Sequence, residues 1–265
     1  MTTTSRVALS GLLAALMTCA TSALVTGVLA TAALAIPAQA AACREQSQDG
    51  ISYTVCEADI ARDTVALFLN DANGRPLASF ERVAAGLAAD QTLAFAMNAG
   101  MYHPDRRPVG LYLDHGVEAA PLIKSASAGN FGLLPNGVFC IAPDQFAVIE
   151  TLAYAANPPA CTYATQSGPM LVIGGALHPR FLPNSDSRYV RNGVGVSADG
   201  SHAYFVISNA RVSFSEFGMF FRDTLQTPNA LYFDGSISRL YAPGLRRNDI
   251  GFPMGPMVGV VATAP

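Results

Sequence analysis

The 265-residue chain has no tryptophan, a single lysine (Lys124) and only 13% charged residues. Fifteen of its sixteen cations are therefore arginines, and against nineteen carboxylates they leave a formal charge of −3. That balance excludes nucleic-acid binding through a basic face, because displacing counterions from phosphates needs clustered cations. Low charge beside 51% hydrophobic residues excludes a disordered chain. The common catalytic signatures are missing as well: there is no G-x-S-x-G elbow, no H-E-x-x-H and no Walker loop. Four histidines, at 103, 115, 178 and 202, are too scattered for a metal triad, and Gly193-Val194-Gly195 lacks the third glycine of a dinucleotide loop. Asn70 to Gly74 lacks the downstream acid of a calcium loop and reads as a turn. The expectation is no metal and no cofactor.

The first forty residues differ from the rest. Arg6 is their one charge, Val7 to Ile36 is apolar apart from Ser, Thr and Gly, and Ala38-Gln39-Ala40 fits a small-residue cleavage pattern. This predicts a signal peptide over residues 1–40 followed by one domain over 41–265, periplasmic or secreted, with no stable membrane span after cleavage. An uncleaved anchor is the alternative, since the apolar run is long enough to cross a bilayer. Residues 41–265 carry −4 and retain Cys43, Cys56, Cys140 and Cys161. An even cysteine count in an exported chain points to two disulfides, with three possible connectivities. Pairing sequence neighbours, Cys43 with Cys56 and Cys140 with Cys161, closes the shortest loops and is the expected pattern.

Short β-branched or aliphatic runs bounded by Asp, Asn and Gly predict strands at Ile51 to Val55, Thr64 to Leu69 and Leu93 to Met97. Three hairpins follow: Val138 to Ile141 with Phe146 to Ile149, Met170 to Ile173 with Ala176 to Leu177 across Gly174-Gly175, and Gly193 to Val196 with Ala203 to Ile207 across Asp199-Gly200. One helix is well marked, because Ser213 and Glu216 make a capping box and Phe214, Phe217, Phe221 and Leu225 recur at helical spacing before Pro228. With no strand-helix alternation, the fold class is α+β: a mixed, largely antiparallel sheet with hairpins and few helices.

The chemistry-bearing candidates are polar residues beside glycines at the ends of apolar strands, where a rigid scaffold can present them. They are Asn98, Gly100 and Tyr102; Gln166, Ser167 and Gly168; Arg188 and Arg191; and Asp234, Gly235 and Ser238, which follow the apolar strand Ala230 to Phe233. Each group alone also reads as turn chemistry, since Asn, Asp and Gly tolerate positive φ. Together they form the set a sugar-phosphate ligand requires: an arginine fork for phosphate oxygens, amides for sugar hydroxyls and a carboxylate for protons.

At these residues the chain resembles the phosphodiester glycosidase family, which includes the lysosomal uncovering enzyme that removes N-acetylglucosamine from mannose-phosphate groups. Four motifs occur in the family's order: N-[GA]-G-[MFY] at Asn98 to Met101, Q-S-G-P-x-L at Gln166 to Leu171, R-x-x-x-G at Arg191 to Gly195, and A-L-x-x-D-G at Ala230 to Gly235. The likeness spans Leu93 to Val260. It departs where the family's N-G-G is Asn98-Ala99-Gly100, and where its D-G-G-G-S-S is Asp234-Gly235-Ser236-Ile237-Ser238-Arg239.

The resemblance implies hydrolysis of the bond between a sugar's anomeric carbon and a phosphodiester. Asp234 would be the general acid or base, Arg191 would neutralise the phosphate, and Asn98 and Gln166 would orient the sugar. Tyr102, Gly100, Ser167, Gly168, Arg188, Gly235 and Ser238 would complete the substrate site. Because phosphate is a good leaving group, one carboxylate and one arginine suffice without the usual pair of carboxylates. The partner is then a carbohydrate or sugar phosphate. A non-catalytic module that binds cell-envelope glycans is the alternative from another class. Asn98, Gln166, Arg191 and Asp234 are expected to line one pocket.

Overall fold

The structure, a computed structural model, describes residues 41–234 and 236–263. The signal-peptide reading and Gly235 lie outside the described residues.

Three antiparallel sheets make up the fold. The largest orders its strands Cys43–Gln48, Ile51–Asp59, His202–Ser208, Asn192–Val196, Asn229–Tyr232, Met170–Ile173 and Ala176–Leu177. A second sheet runs Arg247–Asn248, Leu240–Ala242, Gln91–Asn98, Met257–Thr263, Thr64–Phe68. The third runs Val117–Ala120, Tyr112–Asp114, Tyr163–Ser167, Gly137–Ile141, Phe146–Glu150. Every ladder among the described residues is antiparallel, the outcome the run of hairpins predicts.

Turn chemistry explains the tight connections. Asp49 and Gly50 both take positive φ, 51° and 78°, the geometry whose twist matches a two-residue hairpin. Gly174 and Gly175 do the same at the second predicted hairpin. At the third, the Asp199 carboxylate accepts from the Ser197 and Ser201 hydroxyls and from the Ser201 backbone N–H. These bonds hold its pKa well below the usual carboxylate range.

The capping box forms as the sequence predicts. Ser213 accepts from the Glu216 N–H at 3.2 Å, and the Glu216 carboxylate accepts from the Ser213 N–H at 2.8 Å. The helix is regular only over Phe214–Met219 and then widens into a π-turn over Phe220–Thr224, with the Leu225 N–H donating to the Phe220 carbonyl. The widening accompanies burial of Phe217, Phe220 and Phe221 together against Tyr53. Each such ring contributes about 1.5–3 kcal/mol through burial. A larger core, with Phe95, Phe139, Phe205 and Phe233 in ring contact, draws residues from all three sheets.

Several elements escape the sequence reading, among them one strand and two helices. Thr165 to Ser167 read as polar residues ahead of a strand but are themselves strand, paired with Gly137–Ile141 on one side, while Thr165 also pairs with Tyr112 on the other. Two further six-residue helices, Phe80–Ala85 and Thr151–Ala156, are too short to show a period.

Both disulfides join sequence neighbours, Cys43 to Cys56 and Cys140 to Cys161. Cys43 and Cys56 are cross-strand partners in the first hairpin. Two bridges fit an oxidising, extracytoplasmic compartment. No helix among the described residues is long and apolar enough to cross a membrane. Material recovered under oxidising conditions should gain the mass of four hydrogens on reduction, and losing a bridge should cost about 2–5 kcal/mol of stability. Intact mass and thermal denaturation with and without reductant check this; free thiols at all four positions would contradict it.

Candidate functional site

The site is built on one buried amide exchange. Asn98 ends a strand of the second sheet, Asn192 begins a strand of the first, and both side chains are fully buried. The Asn98 Nδ2 donates to Asn192 Oδ1 at 3.2 Å, while Asn192 Nδ2 donates to the Asn98 carbonyl at 2.8 Å. Asn98 Oδ1 accepts the Arg239 N–H at 2.9 Å, and Asn192 Oδ1 accepts the Asp234 N–H at 3.3 Å. The segment that carries Asp234 is thus anchored at both ends to the asparagine pair.

Ser238 closes that segment. Its hydroxyl lies 2.7 Å from the Asp234 carbonyl, 3.0 Å from the Val190 carbonyl and 3.3 Å from Asn192 Oδ1. A hydroxyl has one proton to give, so the shortest contact takes it for most of the time. Ser167, at the end of a strand in the third sheet, donates to the Phe233 carbonyl at 2.7 Å. Strand ends from all three sheets therefore meet at the chain just before Asp234.

Gln166 is 1% exposed, and its amide is fully used. Oε1 accepts the Leu111 and Ile123 N–H groups, and Nε2 donates to the Ile123 carbonyl at 2.6 Å and to Thr151 at 3.1 Å. Gly100 and Gly168 are sites of close packing: a Cβ on Gly100 would fall 2.4 Å from Thr165 Oγ1, and one on Gly168 2.5 Å from the Asn136 Cβ. Arg188 is half-exposed and donates to Glu216 at 2.9 Å, across the start of the Phe214 helix.

Asp234 is half-buried at the edge of an open cleft of about 490 Å³. Met101, Tyr102, His103, Arg106, Val109 and Ile237 are among the residues that share it. Tyr102 packs on Gly255, where a Cβ would meet its ring at 2.4 Å, and donates from its hydroxyl to the Pro253 carbonyl. Burial, then the nearby Asp234 charge, push the Tyr102 phenol's pKa up.

Arg191 faces the other way. Its Nε donates to the Val212 carbonyl and its Nη2 to the Ser187 carbonyl, both at 2.9 Å, and its guanidinium lies 3.6 Å from the Phe214 ring centroid. The side chain is 1% exposed and makes no ion pair among the described residues. Burial lowers its pKa, opposed by Tyr232 and Tyr189, but a guanidinium stays charged in any ordinary solution. Tyr232 feels both candidate charges: burial raises its pKa first, Arg191 opposes that, and Asp234 adds to it.

The sequence expectation of one shared pocket is met only in part. The candidates converge on strand ends, but of Asn98, Gln166, Arg191 and Asp234 only Asp234 lines the cleft. The two amides are consumed in holding the strands together. Asn192 and Tyr232 are the residues sequence reasoning missed. Asn192 sits directly after Arg191, and Tyr232 inside the apolar run before Asp234, so a polar atom flanked by buried strand positions was the available signal.

Comparison with known proteins finds relatives in sequence and a shared fold. An uncharacterized protein of Escherichia coli (strain K12), YigE, is 32% identical over 182 residues, which is 69% of this chain and 71% of that one. Among solved structures, a hypothetical protein from Synechocystis aligns with a TM-score of 0.55 and 14% identity over 83% of this chain, which spans 61% of that protein. The catalytic domain of zebrafish N-acetylglucosamine-1-phosphodiester alpha-N-acetylglucosaminidase, auto-inhibited by pro-peptide, aligns with a TM-score of 0.54 and 13% identity over 83% of this chain and 81% of its own. A Burkholderia pseudomallei K96243 protein described as exported gives 0.51 and 11%, over 81% and 74%. At such identities these structures show a shared fold. The phosphodiester glycosidase pattern matches residues 91–259, well over half of the chain, and the chain belongs to that family.

Proposed function

We propose that the chain is an exported hydrolase, one domain over residues 41–265 behind a cleaved leader, that splits the glycosidic bond of a sugar-1-phosphodiester. The observation that supports this best is a buried guanidinium, Arg191, without an ion-pair partner among the described residues, next to a strand whose neighbour in the sheet leads directly to a carboxylate, Asp234, on an open cleft. An unpaired buried cation is costly, and a ligand anion offsets that cost.

In this reading the sugar lies in the cleft against the Tyr102 ring, and the phosphate lies toward Arg191. Water adds to the anomeric carbon as the bond from that carbon to the phosphate oxygen breaks. Asp234 takes the proton from the water. The electron pair of the broken bond goes to the phosphate, where Arg191 stabilises the added charge. Because that charge grows along the reaction, the arginine acts on the transition state more than on the bound substrate. Asn98, Ser167 and Ser238 position the segment bearing Asp234, Gln166 ties its own strand to Leu111, Ile123 and Thr151, Gly100 and Gly168 let the strands approach closely, and Arg188 pins the helix under Arg191.

Asp234→Asn should lower turnover on a sugar-1-phosphodiester by about 10²-fold or more with little change in melting temperature. Parental turnover by that folded variant would remove Asp234 from the chemistry. Arg191→Lys keeps a charge but loses the planar fork that bonds two carbonyls, so it should lower kcat more than it raises KM. Its melting temperature should also fall, since two buried bonds are disturbed. If the parent turns over no such substrate yet binds envelope glycans, the chain is a binding module.

A further inference from the structure

The open cleft at Asp234 carries one permanent positive charge among its described residues, Arg106. Arg106 comes from the tip of a short hairpin in which the Val109 N–H donates to the Met101 carbonyl at 2.9 Å and Tyr102 bridges to Pro108. Across the tip the His103 N–H donates to the Arg107 carbonyl and the Arg106 N–H to the His103 carbonyl, both at 2.8 Å. Arg106 takes a left-handed φ of 75° there, and the three charged residues of the tip divide their tasks. Asp105 pairs with Arg107 at 2.7 Å, both exposed to solvent. Arg106, between them in sequence, is half-buried, lines the cleft and makes no ion pair among the described residues. Its guanidinium carbon lies 5.4 Å from the Tyr102 ring centroid, within cation–π range. Burial first raises the Tyr102 phenol's pKa, Asp234 adds to the rise and Arg106 opposes it, so both charges are felt at one ring.

We infer that Arg106 is the anion-binding residue of the cleft, its guanidinium contacting the phosphate of the diester while the sugar lies against the Tyr102 ring. The inference rests on the sugar-phosphodiester reading for its ligand and adds to it a cation that the ligand can touch, since Arg191 is buried and does not line the cleft. A diester brings a negative charge to a cleft that already holds the Asp234 carboxylate, and like charges repel. A cation beside that carboxylate offsets the repulsion and gives the phosphate a partner. Arg106 suits the task because the carboxylate next to it in sequence is spent on Arg107, which leaves the Arg106 charge for a ligand. A guanidinium stacked on a ring keeps its N–H donors in its own plane, so the ring contact does not consume the fork that a phosphate takes. Tyr102 is itself fixed, by the bond from its hydroxyl to the Pro253 carbonyl and by close packing on Gly255, so the stack sets where the guanidinium stands.

The test is titration of the mature chain and of Arg106→Gln with inorganic phosphate, followed by calorimetry, beside steady-state kinetics on a sugar-1-phosphodiester. Glutamine removes the charge and keeps a polar side chain. Arg106→Gly, which suits the left-handed φ, takes its place should the glutamine variant not fold. Phosphate should bind about tenfold more weakly to the variant, the loss associated with one bond to a charged group. In an active enzyme KM for the diester should rise by about the same factor with a smaller change in kcat, because Arg106 meets a charge the substrate already carries. Equal phosphate affinity in parent and variant overturns the inference, as does a parent that binds no phosphate or an active variant with an unchanged KM. A parent that hydrolyses the diester while failing these tests leaves the proposed function standing. A parent that binds phosphate through Arg106 yet hydrolyses nothing supports the anion site and removes the proposed reaction.

Discussion

The exchange of hydrogen bonds between Asn98 and Asn192 is the constraint on which the site depends. Both amides are buried, both sit at strand ends of different sheets, and together they hold the N–H groups of Asp234 and Arg239. In a low-dielectric interior a fully satisfied polar network specifies one arrangement, because every alternative leaves a donor or acceptor unmade at about 1–3 kcal/mol. An apolar pair of similar volume would fill the same space and leave the Asp234 segment free to move. Reactive geometry tolerates little displacement, so this rigidity matters more than the net stability of the bonds.

Strand alternation then divides the labour. Successive side chains of a strand point to opposite faces. Asn192 therefore turns toward Met97 and Asn98, while Arg191 turns toward Phe214 and Tyr232. The neighbouring strand repeats the division, with Phe233 in the main core and Tyr232 in the cluster beneath the helix. One sheet thus holds the amide pair on one side and a buried guanidinium on the other. The capping box belongs to the same device: Glu216 caps the helix and binds Arg188, while Phe214, the first helical residue, packs on Arg191.

What the sequence made legible was local in origin. The Gly174-Gly175 and Asp199-Gly200 turns, the Ser213–Glu216 box and the neighbour pairing of cysteines each depend on residues within about twenty positions, and each is present. The motif residues at strand ends were legible as a set, because polar atoms beside glycines stand out against apolar runs. Their individual states were not legible. Whether Gln166 meets a ligand or ties Leu111, Ile123 and Thr151 together depends on partners up to 55 positions away, which no spacing encodes. Tyr232 was hidden for the opposite reason: a tyrosine within an apolar strand looks like packing, and its contact with Arg191 shows only once the two strands are paired.

The departures from the family pattern around Asp234 acquire a physical sense from the same contacts. Where the family has glycine, this chain places Ser236, exposed, and Ile237, which lines the cleft and packs beside the Phe80 cluster. Glycines grant a loop freedom that folding must remove, and side chains at compatible positions reduce that cost. Ser238 keeps the hydroxyl that folds the segment back on the Asp234 carbonyl. Arg239, in place of a serine, donates to the Asp249 and Phe252 carbonyls and so binds the neighbouring loop. A segment that loses glycine and gains these ties is more rigid, with an apolar rim at Ile237. That rim stands on the cleft beside the Asp234 carboxylate.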